Sequence, residues 1–278
     1  VVGAGPFDVV SELRGVYFNV TNNGGPDASL STSTGIAGGV DFVHNVNNNS
    51  ELERAEVNAY VEANRIRDWV LSYNPTYPVI ASQLNMGINV NIDSNCNANY
   101  TGTINFFTSG GGCPNTAFAP VVHHEYGHHL VQVAGSGQGA YGEGMGDTMS
   151  ALLLDEPALG IGWSINNCNS ALRNADNSCQ YDLGNCSSCG SAIHSCGMLI
   201  SGCFWDLREL AGLDLASDLA INSMLLHTGT AIDGDIVIDV LTLDDDDADI
   251  GNGTPNYTAI ESAFGMHGLD APPLSLLA

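Results

Sequence analysis

At 278 residues with 44% hydrophobic side chains, the chain is long enough for one or two domains with a substantial core, and its composition argues against disorder. Thirty-one acidic residues against six basic ones give a net charge of −25, and all six basic residues are arginines (Arg14, Arg54, Arg65, Arg67, Arg173, Arg208). A lysine-free, anionic surface repels phosphate backbones and anionic lipid, so nucleic acid and membrane surfaces are excluded as partners. No apolar run approaches the ~18–20 residues that span a bilayer. The opening VVGAGPFDVV has no Met, no basic segment and no apolar leader, which is the expectation for a processed or trimmed chain whose targeting segments are out of view.

In chain order, residues 1–50 are rich in Gly, Asn, Ser and Thr with short apolar pieces such as Gly15-Val16-Tyr17-Phe18, and read as short strands and loops. Over residues 51–73, Leu52, Ala55, Ala59, Tyr60, Ala63, Ile66 and Val70 recur at three and four, a helical stripe. Residues 79–107 alternate between Asn-rich turns and read as strands, followed by a Gly110-Gly111-Gly112 turn. A helix is expected over 120–134, with Pro120 at a first helical position and Gly135 after its end. A further helix is expected over about 142–155, stopped by Pro157. Beyond a cysteine-rich loop at 163–192, helices are expected over about 194–210, 214–227, 235–243 and 256–264. Without a repeat or a flexible linker, two lobes of one unit are expected: a β-rich part, 1–134, and a helical part, 135–278.

The eight cysteines are Cys96, Cys113, Cys168, Cys179, Cys186, Cys189, Cys196 and Cys203. Their even number, with six clustered between 168 and 203, suggests disulfides in an oxidising compartment and hence a secreted protein. Screening in salty extracellular water would relieve the self-repulsion of the −25 charge. Cys186-x-x-Cys189 lacks the partner pair of a zinc ribbon and the βαβ setting of a redox motif. Eight cysteines allow 105 pairings, so connectivity is open, though Cys96 and Cys113 stand apart from the rest and are expected to join.

The chemistry concentrates in His124-Glu125-Tyr126-Gly127-His128. Histidines at i and i+4 share one helix face, the reach needed for two imidazoles to hold one Zn²⁺. Glu125 would project toward the open coordination position and take a proton from water there as general base. The bland reading is chance, or a solvated histidine face. Fifteen residues on, Glu143 and Asp147 are also at i and i+4, at the start of a helix whose Met145, Met149, Leu152 and Leu153 mark it as buried. Glu143 would be the third zinc ligand, and Asp147 would accept the other ring N–H of a ligand histidine. Their bland reading is a solvated carboxylate pair on an acidic protein. His123 and His129 fall off the ligand face and are read as non-ligands. Position 131 is Val and 134 is Ala, which excludes the metzincin pattern.

These motifs together resemble the glutamate-zincin signature of the thermolysin-like and fungalysin-like metalloproteases. Asn97-Ala98-Asn99-Tyr100, followed by Gly102-Thr103-Ile104-Asn105-Phe106-Phe107, is similar to the edge strand with which that family pairs the substrate backbone. The resemblance implies main-chain binding by Asn97 and Ala98, with Tyr100 beside them. Ile193-His194-Ser195-Cys196-Gly197 resembles the segment whose histidine stabilises the transition state, which implies that role for His194. The helix around residues 58–70 resembles the one that backs the sheet. The likeness runs over roughly residues 55–210. The 14 residues between His128 and Glu143 are fewer than the family leads one to expect, and the cysteine cluster and first fifty residues have no counterpart.

Asp244-Asp245-Asp246-Asp247-Ala248-Asp249-Ile250-Gly251-Asn252 is the densest charge in the chain. It lacks the twelfth-position Glu of an EF-hand, and a solvated loop is the usual fate of such a run. Oxygen donors at alternate positions nevertheless make Asp245, Asp247 and Asp249 candidate Ca²⁺ ligands.

The sequence is therefore expected to encode an α+β, two-lobe, thermolysin-like fold and a secreted zinc endopeptidase. Its cofactors would be one catalytic Zn²⁺ with Ca²⁺ as a second candidate, and its partner a peptide or protein substrate cleaved by a monomer. Two alternatives stand beside it: a catalytically silent extracellular binding or adhesion domain with a structural zinc, and a zinc aminopeptidase.

Overall fold

The computed structural model describes residues 6–35, 40–182, 184–186 and 188–277. Strands β1 (Phe7–Glu12), β2 (Phe18–Asn22) and β3 (Ser29–Thr34) open the chain. β1 and β3 pair antiparallel as a ribbon of their own. β2 joins β4 (Met86–Ile92), β5 (Ala98–Tyr100) and β6 (Ile104–Phe107) in a four-stranded sheet of order β2-β4-β6-β5. β2, β4 and β6 run parallel, while β5 is antiparallel to β6 and forms the edge.

Between β3 and β4 lies α1 (Glu51–Tyr73), whose Ala55, Ala59, Ala63, Ile66 and Val70 are buried. Ser50 caps it, accepting the Glu53 N–H at 3.2 Å and satisfying an otherwise orphaned donor. The small alanines let α1 lie close to β2 and β4, where Phe18, Val20, Ile88 and Val90 supply the facing layer. The strands expected from residue 79 begin only at Met86. Pro75 and Pro78 hold residues 74–82 in turns, Val79 takes a left-handed φ of 64°, and Ile80 plugs the core from there.

α2 (Ala119–Ala134) starts with Pro near its N-terminus and ends at Gly135, whose φ of 93° closes the last turn. α3 (Gly139–Leu154) starts three residues before the expected point, because it is buried nearly all round and its apolar pattern cannot mark an end. After the short pair β7 (Ala158–Leu159) and β8 (Arg173–Asn174), α4 (Ile193–Ala211) packs across α3. α5 (Leu213–Ser223), α6 (Asp235–Asp244) and α7 (Tyr257–Gly265) complete the helical part. α5 is shorter than expected, since residues 224–226 leave the helix for tight turns and Ser136 Oγ sits 2.5 Å from the Met224 carbonyl.

Cys96 is bonded to Cys113, Cys179 to Cys189 and Cys186 to Cys196. The first joins residues 17 apart, which on chain-entropy grounds stabilises by about 3 kcal/mol. Cys168 and Cys203 are free thiols, contrary to the reading of the full even set as bridges. Cys203 is fully buried on α4, where it packs as a small apolar side chain.

Candidate active site

Three helices converge on one point. α2 carries His124, Glu125 and His128, α3 carries Glu143 and Asp147, and α4 begins with His194 in its first turn. Their approach depends on absent side chains. A Cβ on Gly127 would lie 2.6 Å from the Gly146 Cα, and one on Gly197 would lie 2.7 Å from the Gly144 N. Glycine at the α2–α3 and α3–α4 crossings therefore brings the backbones close enough for short side chains to meet. This contact accommodates the short connection between His128 and Glu143: the helices lie against each other, so little chain is needed to return.

His124 Nε2 lies 3.2 Å from Glu143 Oε2, and His128 Nε2 lies 3.8 Å from the same oxygen. Suitable donor atoms of the three residues all fall within 4.8 Å of one another. On the far sides of the rings, His124 Nδ1 meets Asp147 Oδ1 at 2.7 Å and His128 Nδ1 meets Gln138 Oε1 at 2.9 Å. Those oxygens accept, so each ring proton belongs on Nδ1 and each Nε2 turns a lone pair inward. Glu143 Oε2 is buried with no hydrogen-bond partner. Acceptors facing each other at this range call for a cation between them. Two neutral imidazoles and a carboxylate around an open side form the donor set of hydrolytic zinc, and the residues fit that ion.

The electrostatics agree. Burial opposes charge on His124, but the hydrogen bond and charge of Asp147, with Glu143 behind it, raise its pKa to about 10. His124 Nε2 is thus a place where a cation is favoured, and proton and metal compete for it. Burial and the neighbouring His124 push His128 down to about 4, keeping it neutral. Burial works against an ionised Asp147, yet Arg173 and His124 hold its carboxyl at about 2. Arg173 clamps it with Nε 2.6 Å from Oδ2 and Nη2 2.7 Å from Oδ1. Glu125 has no such clamp: burial drives it up to about 7, with His124 pulling down and Glu143 pushing up. Its Oε2 is buried and unpartnered.

These groups floor a cleft of about 520 Å³. Asn97, Ala98 and Tyr100 line one wall, and Leu159, Gly160, Trp163 and Leu172 line another. His194 stands at the opening with its side chain 52% exposed and Nε2 3.3 Å from Glu143 Oε2. His123 and His129 lie away from the cluster: His123 Nε2 is 2.9 Å from Glu62 Oε2, and His129 meets Tyr100 and Gln83. In the acidic run the carboxylates of Asp245, Asp246 and Asp247 group together, while Asp249 falls outside that group and accepts the Gly251 N–H at 3.1 Å. None of the four lines the cleft.

Gln138 and Arg173 escaped the sequence reading. Arg173 left one signal, as the only Lys or Arg between Arg67 and Arg208, where a buried carboxylate at 147 needs a counter-charge. Gln138 left none, because its partner is reached only once α3 folds back on α2.

An α+β chain with this element order has the thermolysin-like fold, as the comparison with solved structures shows. The precursor of protealysin, a metalloproteinase from Serratia proteamaculans, superposes with a TM-score of 0.65 over 97% of this chain and 90% of that chain, at 14% identity. Neither a protein-family model nor a curated protein matches the sequence.

Proposed function

We propose that this chain is a secreted zinc metalloendopeptidase. Glu125 carries the reading: a buried side chain with one carboxylate oxygen, Oε2, left without a partner, its pKa raised to about 7, beside a donor set that suits zinc. A structural site needs no such base, which argues against a silent binding domain. Among the described residues the carboxylates lining the cleft are Glu125, Glu143 and Asp147, which already have roles in this reading, and an aminopeptidase would require a further one to anchor a free amine.

His124, His128 and Glu143 would hold the ion, which when bound supplies Lewis acidity toward water and a carbonyl oxygen. Glu125 takes a proton from the attacking water at its carboxylate, a transfer favoured by a pKa near the working pH, and returns it to the leaving amine. His194, half-exposed at the cleft mouth, donates from its ring N–H to the oxygen on which charge develops. Asp147 and Gln138 fix the ligand rings in one tautomer. A peptide adds as a further strand to β5, the exposed sheet edge, with Asn97, Ala98 and Tyr100 along it. The apolar wall of Leu159, Trp163 and Leu172 suits a hydrophobic substrate side chain. Three disulfides and the acidic surface support an extracellular place of action.

The test is metal content and casein hydrolysis on one sample, before and after 1,10-phenanthroline and zinc add-back. Near-stoichiometric zinc with activity lost and restored is expected. Zinc without hydrolysis would leave a binding domain, and a protein that takes up no zinc would end the proposal.

A further inference from the structure

His129 follows His128 on α2 but points to the other side of the helix, 3% exposed and wedged between two tyrosines. The rings of Tyr100 and Tyr126 each lie 5.4 Å from its own, centroid to centroid. Its Nε2 is 2.8 Å from Gln83 Oε1 and its Nδ1 is 2.9 Å from the Tyr100 hydroxyl. An amide oxygen only accepts, so with Gln83 in this orientation Nε2 carries the ring proton and Nδ1 presents a lone pair. Tyr100 O–H must then donate to it. The order is one-way, Tyr100 to His129 to Gln83, and it ties three segments to one imidazole: the edge strand β5, the helix α2 and the 74–85 connection. Packing alone does not ask for it, since a phenylalanine fits between two aromatic rings without needing two buried polar partners.

We propose, on the peptidase reading above, that His129 is a positioning residue for substrate. By accepting the Tyr100 hydroxyl it fastens β5 to α2, so that the strand edge is already in place when a peptide adds to it. His129 itself touches neither peptide nor reacting atoms. An edge strand that is not held in place must be ordered before a peptide can pair with it, and that cost falls on binding, so a strand cut loose from α2 binds long peptides poorly. A short substrate that does not lie along β5 escapes the effect.

The test uses zinc-loaded full chain, a fluorogenic peptide of about eight residues and a blocked dipeptide amide, since strand addition requires an extended ligand. His129→Phe is expected to raise KM for the long peptide about 10-fold with kcat within about twofold, and to alter dipeptide cleavage less than about twofold. Tyr100→Phe should raise the long-peptide KM similarly, and the double variant should be no worse than either single one. Gln83→Glu, which still accepts from Nε2, should keep the wild-type KM, whereas Gln83→Leu should not. A long-peptide KM unchanged in His129→Phe, or equal loss on both substrates, overturns the proposal. Hydrogen exchange at the Ala98–Tyr100 amides reads the strand without hydrolysis: it should quicken in His129→Phe and in Tyr100→Phe, and unchanged exchange in both also overturns it. A wild type that holds zinc yet cleaves neither substrate sinks the peptidase reading, while exchange still decides whether His129 holds the strand.

Discussion

Asp147 and Asp247 are the same chemical group in two acidic clusters, and the fold treats them oppositely. Asp147 is 1% exposed, clamped by Arg173, bonded to His124 and held at a pKa of about 2. Asp247 is exposed and spends its oxygens on the Asp249 N–H and the Asn252 amide of its own loop. Near Asp147, Glu125 and Glu143 are also buried, so every charge has to be answered by a named partner or by a cation. Around Asp247 exposure to solvent and the loop's own donors answer most of it, and only Asp245 Oδ1 is buried there without a partner among the described residues. Dense charge in a sequence thus says little about function; charge that the fold removes from water says much more.

The contrast is sharpest at Glu125. Glu125→Gln should retain zinc, measured by elemental analysis, while kcat falls by roughly 10²–10⁴-fold; substantial residual turnover would falsify the general-base role. Asp147→Ala should come next, because it leaves the half-buried Arg173 guanidinium without its partner. A loss on the order of 3–5 kcal/mol in urea unfolding is expected, with zinc affinity down about 10–100-fold in chelator competition. Wild-type stability in that variant would mean that the clamp does not anchor the site.

Gly127→Ala tests the helix crossing without touching any ligand. Its Cβ would meet Gly146 at 2.6 Å, so the backbones must part, at a cost of about 1–3 kcal/mol and with weaker zinc binding. An unchanged Tm and zinc affinity would show that the crossing has slack. The smallest effect belongs to the acidic loop: Asp247→Asn should move Tm by no more than about 2 °C. Protein stripped with EDTA and refilled with zinc alone should keep its full Tm. A rise on adding calcium that Asp245→Asn abolishes would instead seat a cation in that loop and erase the contrast.

Much of this was readable from local pattern. Ala55, Ala59, Ala63, Ile66 and Val70 repeat at helical spacing and become the buried face of α1, within the predicted bounds. Residues 79–82 read as strand from the sequence because an apolar Val79-Ile80 pair looks alike in a strand or as a plug in an irregular segment. The start of α3 was misplaced because a helix buried on all sides has no polar face to give its period away.

What the sequence determined by itself is whatever depends on neighbours within one turn: that His124 and His128 share a face, that Glu125 sits beside them, and that Glu143 and Asp147 form a second pair at the same spacing. What only the tertiary structure decided is which faces meet. Gly127 on Gly146 and Gly144 on Gly197 put three helices in contact, β7–β8 pairing carries Arg173 to Asp147, and the return of α3 lays Gln138 against His128. The physical reason is range. Helical periodicity is written over three or four residues, whereas the partner of a buried charge is chosen by packing between segments that the chain itself does not place side by side.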